Sequence, residues 1–203
     1  MDLYFSPLAC SLASRIVAYE AGLDLNFDRV DSKAGRTASG QDYKAINPML
    51  QVPALRTDDG VVLTENAAIL QYLGDRRPGA GLAPGGDARY QLQKWLSFIS
   101  SELHKLVFTP LLGAGFPDEA KAKARELAAS RFALLNAHLQ GRDWLLDDFS
   151  VADAYLAAIL NWNQITRFDL SPYPAIQAYQ ARLATRPAVA KATQEEFALY
   201  QAA

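Results

Sequence analysis

The chain has one cysteine, two histidines and no block of like charge, and each scarcity excludes something. A lone cysteine, Cys10, can form neither an internal disulfide nor a C-x-x-C redox pair, and it fits a reducing compartment. One cysteine with His104 and His138 makes a poor structural zinc set, so no metal is expected. Net charge is -2 over 203 residues, with 20 Lys and Arg scattered among 22 Asp and Glu. No basic cluster exists to neutralise phosphates, so no nucleic-acid partner is expected. No apolar run approaches the roughly 18–20 residues that cross a bilayer. The opening MDLYFSPL also lacks the basic and apolar regions of a secretory leader. The expected address is the cytoplasm, away from membranes.

What is present suits a globular protein with real cores: half of the residues are hydrophobic and 21% are charged. Over the first eighty residues strand-like and helix-like patterns alternate. DLYF and NFDRV read as strands around a helix in SLASRIVAYEAGL, with Leu12, Ile16, Val17 and Tyr19 on one broad face and Gly22 as its stop. DSKAGRTASGQDYKAINP reads as loop with a short helix. VPALR and VVL flank TDDG as a hairpin, and TENAAILQYLGDR returns to helix with Ala68, Ile69, Tyr72 and Leu73 inward. A small mixed sheet covered by helices follows. RRPGAGLAPGGD breaks both periods and reads as a linker. Its GAGLAPG is no phosphate loop, because proline replaces the third glycine and a helix precedes it. Beyond it every pattern is helical: Leu92 through Leu106, then Leu127 through Leu139, then an apolar segment after FSVAD. Ser150 and Asp153 there have capping-box spacing, and two helices introduced by proline close the chain. The expected architecture is an α/β domain at 1–77, a linker at 78–87 and an all-α domain at 88–203.

Four features can carry chemistry, and each has a plainer reading. Cys10 sits where a strand meets a helix, where free N–H groups and the peptide dipoles favour a thiolate; an isolated cysteine is equally a small buried hydrophobe. The dipole alone supplies about 0.3–1 kcal/mol, so direct hydrogen bonds would be needed to lower the thiol by two pKa units. In QVPAL a cis Val52–Pro53 bond would turn the Val52 backbone outward to pair with an extended peptide. In TEN, Glu65 and Asn66 at a helix start can grip an ammonium and a carboxylate, or Thr64 can simply cap. Ser97, Ser100, Ser101 and His104 make a polar stripe opposite the leucines of the long helix, as a ligand wall or as solvated surface.

Taken together, LYFSPLACSLASRIVAYEAGLDLNFDRVD, SGQDYKAINPMLQVPAL, LTENAAILQYLGD, ELHKLVFTPLL, FSVADAYLAAILNW and RLATRPAV resemble the bacterial beta-class glutathione S-transferases along nearly the whole chain. The resemblance implies a thioredoxin-like N-terminal domain, an all-helical C-terminal domain and a homodimer. It implies conjugation of glutathione, a co-substrate, to small hydrophobic electrophiles, with no cofactor. Val52 before cis Pro53 would pair with the cysteinyl part of glutathione. Glu65 and Asn66 would hold its γ-glutamyl end, and Lys105, Lys33 and Ser101 would complete the tripeptide site. Cys10 would act at the sulfur with Ser11 and His104 as helpers. Phe108, Tyr155 and Trp162 would line the electrophile pocket. Gly35 stands where the class often has lysine, with Lys33 or Arg36 as substitutes. Two rival activities are a thiol-disulfide reductase or peroxidase working through a Cys10 mixed disulfide, and ligand binding without catalysis.

Overall fold

The structure, a computed structural model, describes residues 1–202. Five strands form one mixed sheet in the order β3-β2-β1-β4-β5. They are β1 (Asp2–Phe5), β2 (Asn26–Asp31), β3 (Arg36–Thr37), β4 (Ala54–Arg56) and β5 (Val62–Leu63). The central β1 runs parallel to β2, with Leu3 opposite Phe27, and antiparallel to β4, with Leu3 opposite Leu55. A parallel neighbour requires a crossover, and α1 (Leu12–Glu20) supplies it. Successive strand residues point to opposite faces, so Leu3 enters the core beneath α1 while Tyr4 joins Tyr43 and Ile46 of α2 (Tyr43–Ile46) on the other side.

The last helix of this half is α3 (Asn66–Asp75). Its inner face is Asn66, Ile69, Leu70, Leu73 and Gly74; Ala68, expected inside, is exposed and Tyr72 only half-buried. At Gly74 a β-carbon would lie 2.8 Å from Ala83 Cβ and 3.1 Å from Val151 Cγ1, so the absent side chain lets the two halves close. Between them, one 3₁₀ turn (Pro78–Ala80) precedes α4 (Gly86–Phe98). This stretch is docked: Leu82 is buried and its carbonyl accepts the Val151 N–H at 2.9 Å.

α4 continues without a break into a π-helical stretch, Ile99–Phe108, and then α5 (Thr109–Leu112). The Thr109 N–H reaches back five residues to the His104 carbonyl. Pro110 has no N–H with which to restore the tighter α ladder. The long α6 (Asp118–Leu139), α7 (Val151–Asn161), the short α8 (Asn163–Thr166), α9 (Pro174–Thr185) and α10 (Pro187–Gln201) follow. The capping box forms: the Ser150 hydroxyl accepts the Ala152 N–H, and the Asp153 carboxylate accepts the Ser150 N–H at 2.8 Å. α7 is buried nearly all round, and one apolar core runs from α1 and α3 through α7 to α9 and α10. The fold is thus a thioredoxin-like α/β domain joined to an all-helical domain. Among the described residues no helix is long and apolar enough to cross a membrane.

Candidate functional site

A cleft of about 440 Å³ opens where the sheet edge meets the π-helical stretch. Its floor holds Cys10, and one wall is the segment Leu50–Pro53, with the Val52–Pro53 bond cis. That segment is held from behind: the Tyr43 hydroxyl and the Asn47 amide both donate to the Gln51 carbonyl, at 2.7 and 2.8 Å. The Cys10 thiol donates to the Val52 carbonyl at 3.3 Å.

The position of Cys10 ahead of α1 suits a stabilised thiolate or a small buried hydrophobe, and burial weighs toward the second. The N–H groups of Cys10 and Ser11 and the charge of Lys105 do favour the anion, but desolvation outweighs them and pushes the thiol up to about 11. Cys10 is a hydrogen-bond donor here, not an anion.

The α3 N-terminus forms another wall. Glu65 precedes the helix with φ +66, a left-handed backbone that non-glycine residues seldom adopt. Leu50, with φ +55, lines the same cleft. Such conformations cost about 1–3 kcal/mol each and gather at functional sites. Thr64 makes no cap, and while the Ala68 N–H turns back to the Glu65 carbonyl at 3.0 Å, the Asn66 and Ala67 N–H groups at the helix start have no intrahelical acceptor. The Asn66 side chain, expected to donate to a carboxylate, is committed elsewhere: its amide donates to the Cys10 carbonyl at 2.9 Å and its oxygen accepts from Ser14 at 3.3 Å.

The helical domain contributes Ser100, His104, Lys105, Thr109 and Tyr155. Four of these are spaced i, i+4, i+5, i+9, the spacing of about 4.4 residues per turn that a π-helix brings to one face and an α-helix would spread. His104 Nδ1 lies 2.8 Å from the Tyr155 hydroxyl. Burial, with Lys105 adjacent, lowers the His104 pKa to about 4, so the imidazole is neutral at pH 7.

Several expected site residues lie elsewhere. Ser11 is fully buried, and its hydroxyl donates to the Ser6 carbonyl at 3.1 Å and accepts the Ser6 N–H at 3.3 Å; it braces the β1–α1 loop from behind and does not itself line the cleft. Ser101 is exposed and donates back to the Ser97 carbonyl, because the π winding turns Ser100 inward in its place. Lys33 is exposed in the β2–β3 turn and does not line the cleft. Arg36 donates to the Gly40 carbonyl. Gly35 has φ +65, which excludes the lysine of the class without strain. Lys105 is the one cation among the described residues lining the cleft.

The aromatic trio expected around an electrophile is also redistributed. Phe108 is fully buried in a cluster with Phe132, Phe168 and Trp162. The Tyr155 phenol belongs to the polar cleft. Only Trp162 borders a second, apolar cleft of about 550 Å³, with Pro7, Leu8, Leu111, Leu112, Ile165, Phe197 and Tyr200. Ala9 lines both clefts and separates them. The partly exposed Phe197 and Tyr200, three apart on α10, were the available sequence signal for this second cleft. Among the described residues no three His, Cys, Asp or Glu side chains gather to hold a metal.

A thioredoxin-like domain with a cis-proline strand edge, facing a helical domain across a thiol-floored cleft, defines a class of two-domain proteins. Comparison narrows it. Residues 2–75 match the glutathione S-transferase N-terminal domain and residues 99–187 the C-terminal domain. The chain is 41% identical over 199 residues to glutathione S-transferase GstA of Escherichia coli O157:H7, covering 97% of this chain and 98% of that one. A sphingomonad glutathione S-transferase solved with glutathione superposes with a TM-score of 0.92 at 45% identity, covering 97% and 98% of the two chains. A beta-class enzyme from Sphingomonas chungbukensis gives 0.92 at 41%, with the same coverage. The chain belongs to the glutathione S-transferase family.

Proposed function

We propose that this protein joins the thiol of reduced glutathione to small apolar electrophiles. The observation that carries the reading is the adjacency of a polar cleft, built on the Val52 edge, the α3 N-terminus and Lys105, to an apolar cleft one residue away across Ala9. Glutathione lies along the edge with its cysteinyl backbone against Val52. Its γ-glutamyl ammonium meets Glu65, its α-carboxylate meets the first-turn N–H groups of α3, and its glycyl carboxylate points toward Lys105.

A thiol with a pKa near 8.5 is only about 3% ionised at neutral pH, so catalysis needs donors for the tripeptide sulfur. Cys10, protonated and beside that sulfur, is one. The glutathione proton leaves to solvent, the thiolate attacks the electrophilic carbon held in the apolar cleft, and a carbon–sulfur bond forms as the leaving group departs with its electron pair. No cofactor enters this reaction. Conjugation of 1-chloro-2,4-dinitrobenzene, followed at increasing glutathione, tests the reading; no turnover across a broad electrophile panel would overturn it.

The rival thiol-disulfide reading needs a nucleophilic Cys10, and the raised pKa works against it. It predicts a mass gain of one glutathione on incubation with the oxidised tripeptide, lost in Cys10→Ala. The beta-class resemblance further supports a cytoplasmic homodimer acting in detoxification. Sedimentation at about twice the 22.2 kDa chain mass checks the oligomer.

A further inference from the structure

Leu8 is held by the other domain at both of its backbone polar groups. Its N–H donates to Glu196 Oε2 at 2.8 Å, and its carbonyl accepts the Trp162 indole N–H at 2.8 Å. These partners lie 188 and 154 residues away in sequence. Leu8 has φ +59, a conformation leucine keeps only where its surroundings over-determine it. Ala9 and Cys10 follow at once. Pro7, Leu8 and Ala9 wall the apolar cleft while Ala9 and Cys10 floor the polar one, so the pinned residue sets the partition between them.

Glu196 is fully buried on α10, and its other oxygen accepts Arg15 Nε at 2.9 Å. Arg15, on α1, stacks over Phe27 at 3.9 Å and Phe5 at 4.5 Å. Its Nη1 also reaches the Tyr19 hydroxyl and Glu195, at 3.3 and 3.4 Å, and Glu195 in turn faces Lys191 at 4.0 Å. These four groups, Arg15, Tyr19, Glu195 and Lys191, make up the charged and titratable surroundings of the Glu196 carboxylate.

We propose that Glu196 is a positioning residue for the transfer reaction: by holding the Leu8 N–H from α10, it fixes the Pro7–Cys10 loop and with it the approach of the glutathione sulfur to the electrophile. The inference rests on the transferase reading above and touches neither substrate directly. A carboxylate offers acceptor oxygens to both Leu8 and Arg15, whereas a protonated acid turns a donor toward one of them. Burial raises the Glu196 pKa to about 7, against the pull of Arg15 and the Leu8 N–H, so the grip loosens as pH falls below neutral.

Conjugation kinetics of the full chain, wild type against Glu196→Ala and Glu196→Gln, test this between pH 6 and 8, with melting temperature measured on each variant. Glu196→Ala is expected to lower kcat at least tenfold, at temperatures where it remains folded, while KM for glutathione changes less than threefold. Glu196→Gln keeps an acceptor for Leu8; it should recover most of kcat, and wild-type kcat relative to this variant should fall below about pH 7. Unchanged kcat in a folded Glu196→Ala would reduce the contact to a stabilising one and overturn the proposal. So would a folded Gln variant as impaired as the Ala variant. If the wild type conjugates nothing, the transferase reading fails separately, and NMR still decides the brace. The Leu8 amide and Trp162 indole N–H resonances shift together in the Glu196 variants if Leu8 is held as described, and stay in place if it is not.

Discussion

Cys10 illustrates how a local electrostatic rule loses to burial. The helix start contributes a fraction of a pKa unit and Lys105 somewhat more, but a nearly buried thiol gives up its hydration to ionise. The expected consequence is slow alkylation: iodoacetamide should modify Cys10 sluggishly at pH 7, with a rate that keeps rising toward pH 11. Lys105→Ala should slow it further, since it removes the largest influence favouring the anion. A rate that levels off near pH 7 would contradict the burial argument. Gly35, with φ +65, is the complementary case, in which backbone geometry excludes a side chain. Gly35→Ala should cost about 1 kcal/mol in urea unfolding, although the nearest atom to an added β-carbon is 3.9 Å away.

Among the elements, α7 and the π-helical stretch contrast in how openly their sequences declare them. FSVAD announces its helix, and the Asp153 carboxylate accepts from Ser150 N–H and hydroxyl, Leu145 N–H and the Tyr179 hydroxyl, all within 2.9 Å. Ser150→Ala should therefore cost about 1–2 kcal/mol by chemical denaturation. Asp153→Ala should cost more, because several buried donors lose their acceptor at about 1–3 kcal/mol each. The π winding is silent in the sequence. A 3.6-residue reading places Ser97, Ser100, Ser101 and His104 on one stripe, and only Ser100 and His104 reach the cleft. Pro110 was the one visible hint, and its effect depends on the neighbours α4 and α5 continue into.

Over the whole molecule, the two halves are distinct in pattern but share a core. α1 is buried along Leu12–Ala18, against the sheet on one side and α7 and α10 on the other. A fragment of residues 1–77 is expected to lack a cooperative unfolding transition, because Leu12, Ile16 and Leu70 would lose their cover. Circular dichroism during heating measures it. Across the same boundary Arg186 pairs with Glu20 through two hydrogen bonds and stacks over Phe149 at 3.8 Å. Titration links folding to pH through His104. Its folded pKa, lowered to about 4 from an ordinary 6.5, makes its share of stability full above pH 6.5 and lost as pH falls toward 4. His104→Gln should flatten stability against pH in that window; an unaltered slope would show the imidazole to be solvated.

The alternation of apolar residues, the Pro and Gly of the linker, the Ser150 box and the lone thiol beside a strand were enough to read an α/β domain followed by helices, and the combined motifs pointed to the family. These are properties of neighbours along the chain, where spacing and local hydrogen bonding decide. Which of those groups stay charged, which serines face the ligand and which aromatics are core were decided by packing between segments as distant as Leu8 and Glu196. Desolvation and the turn of a helix exist only once both domains have closed on each other.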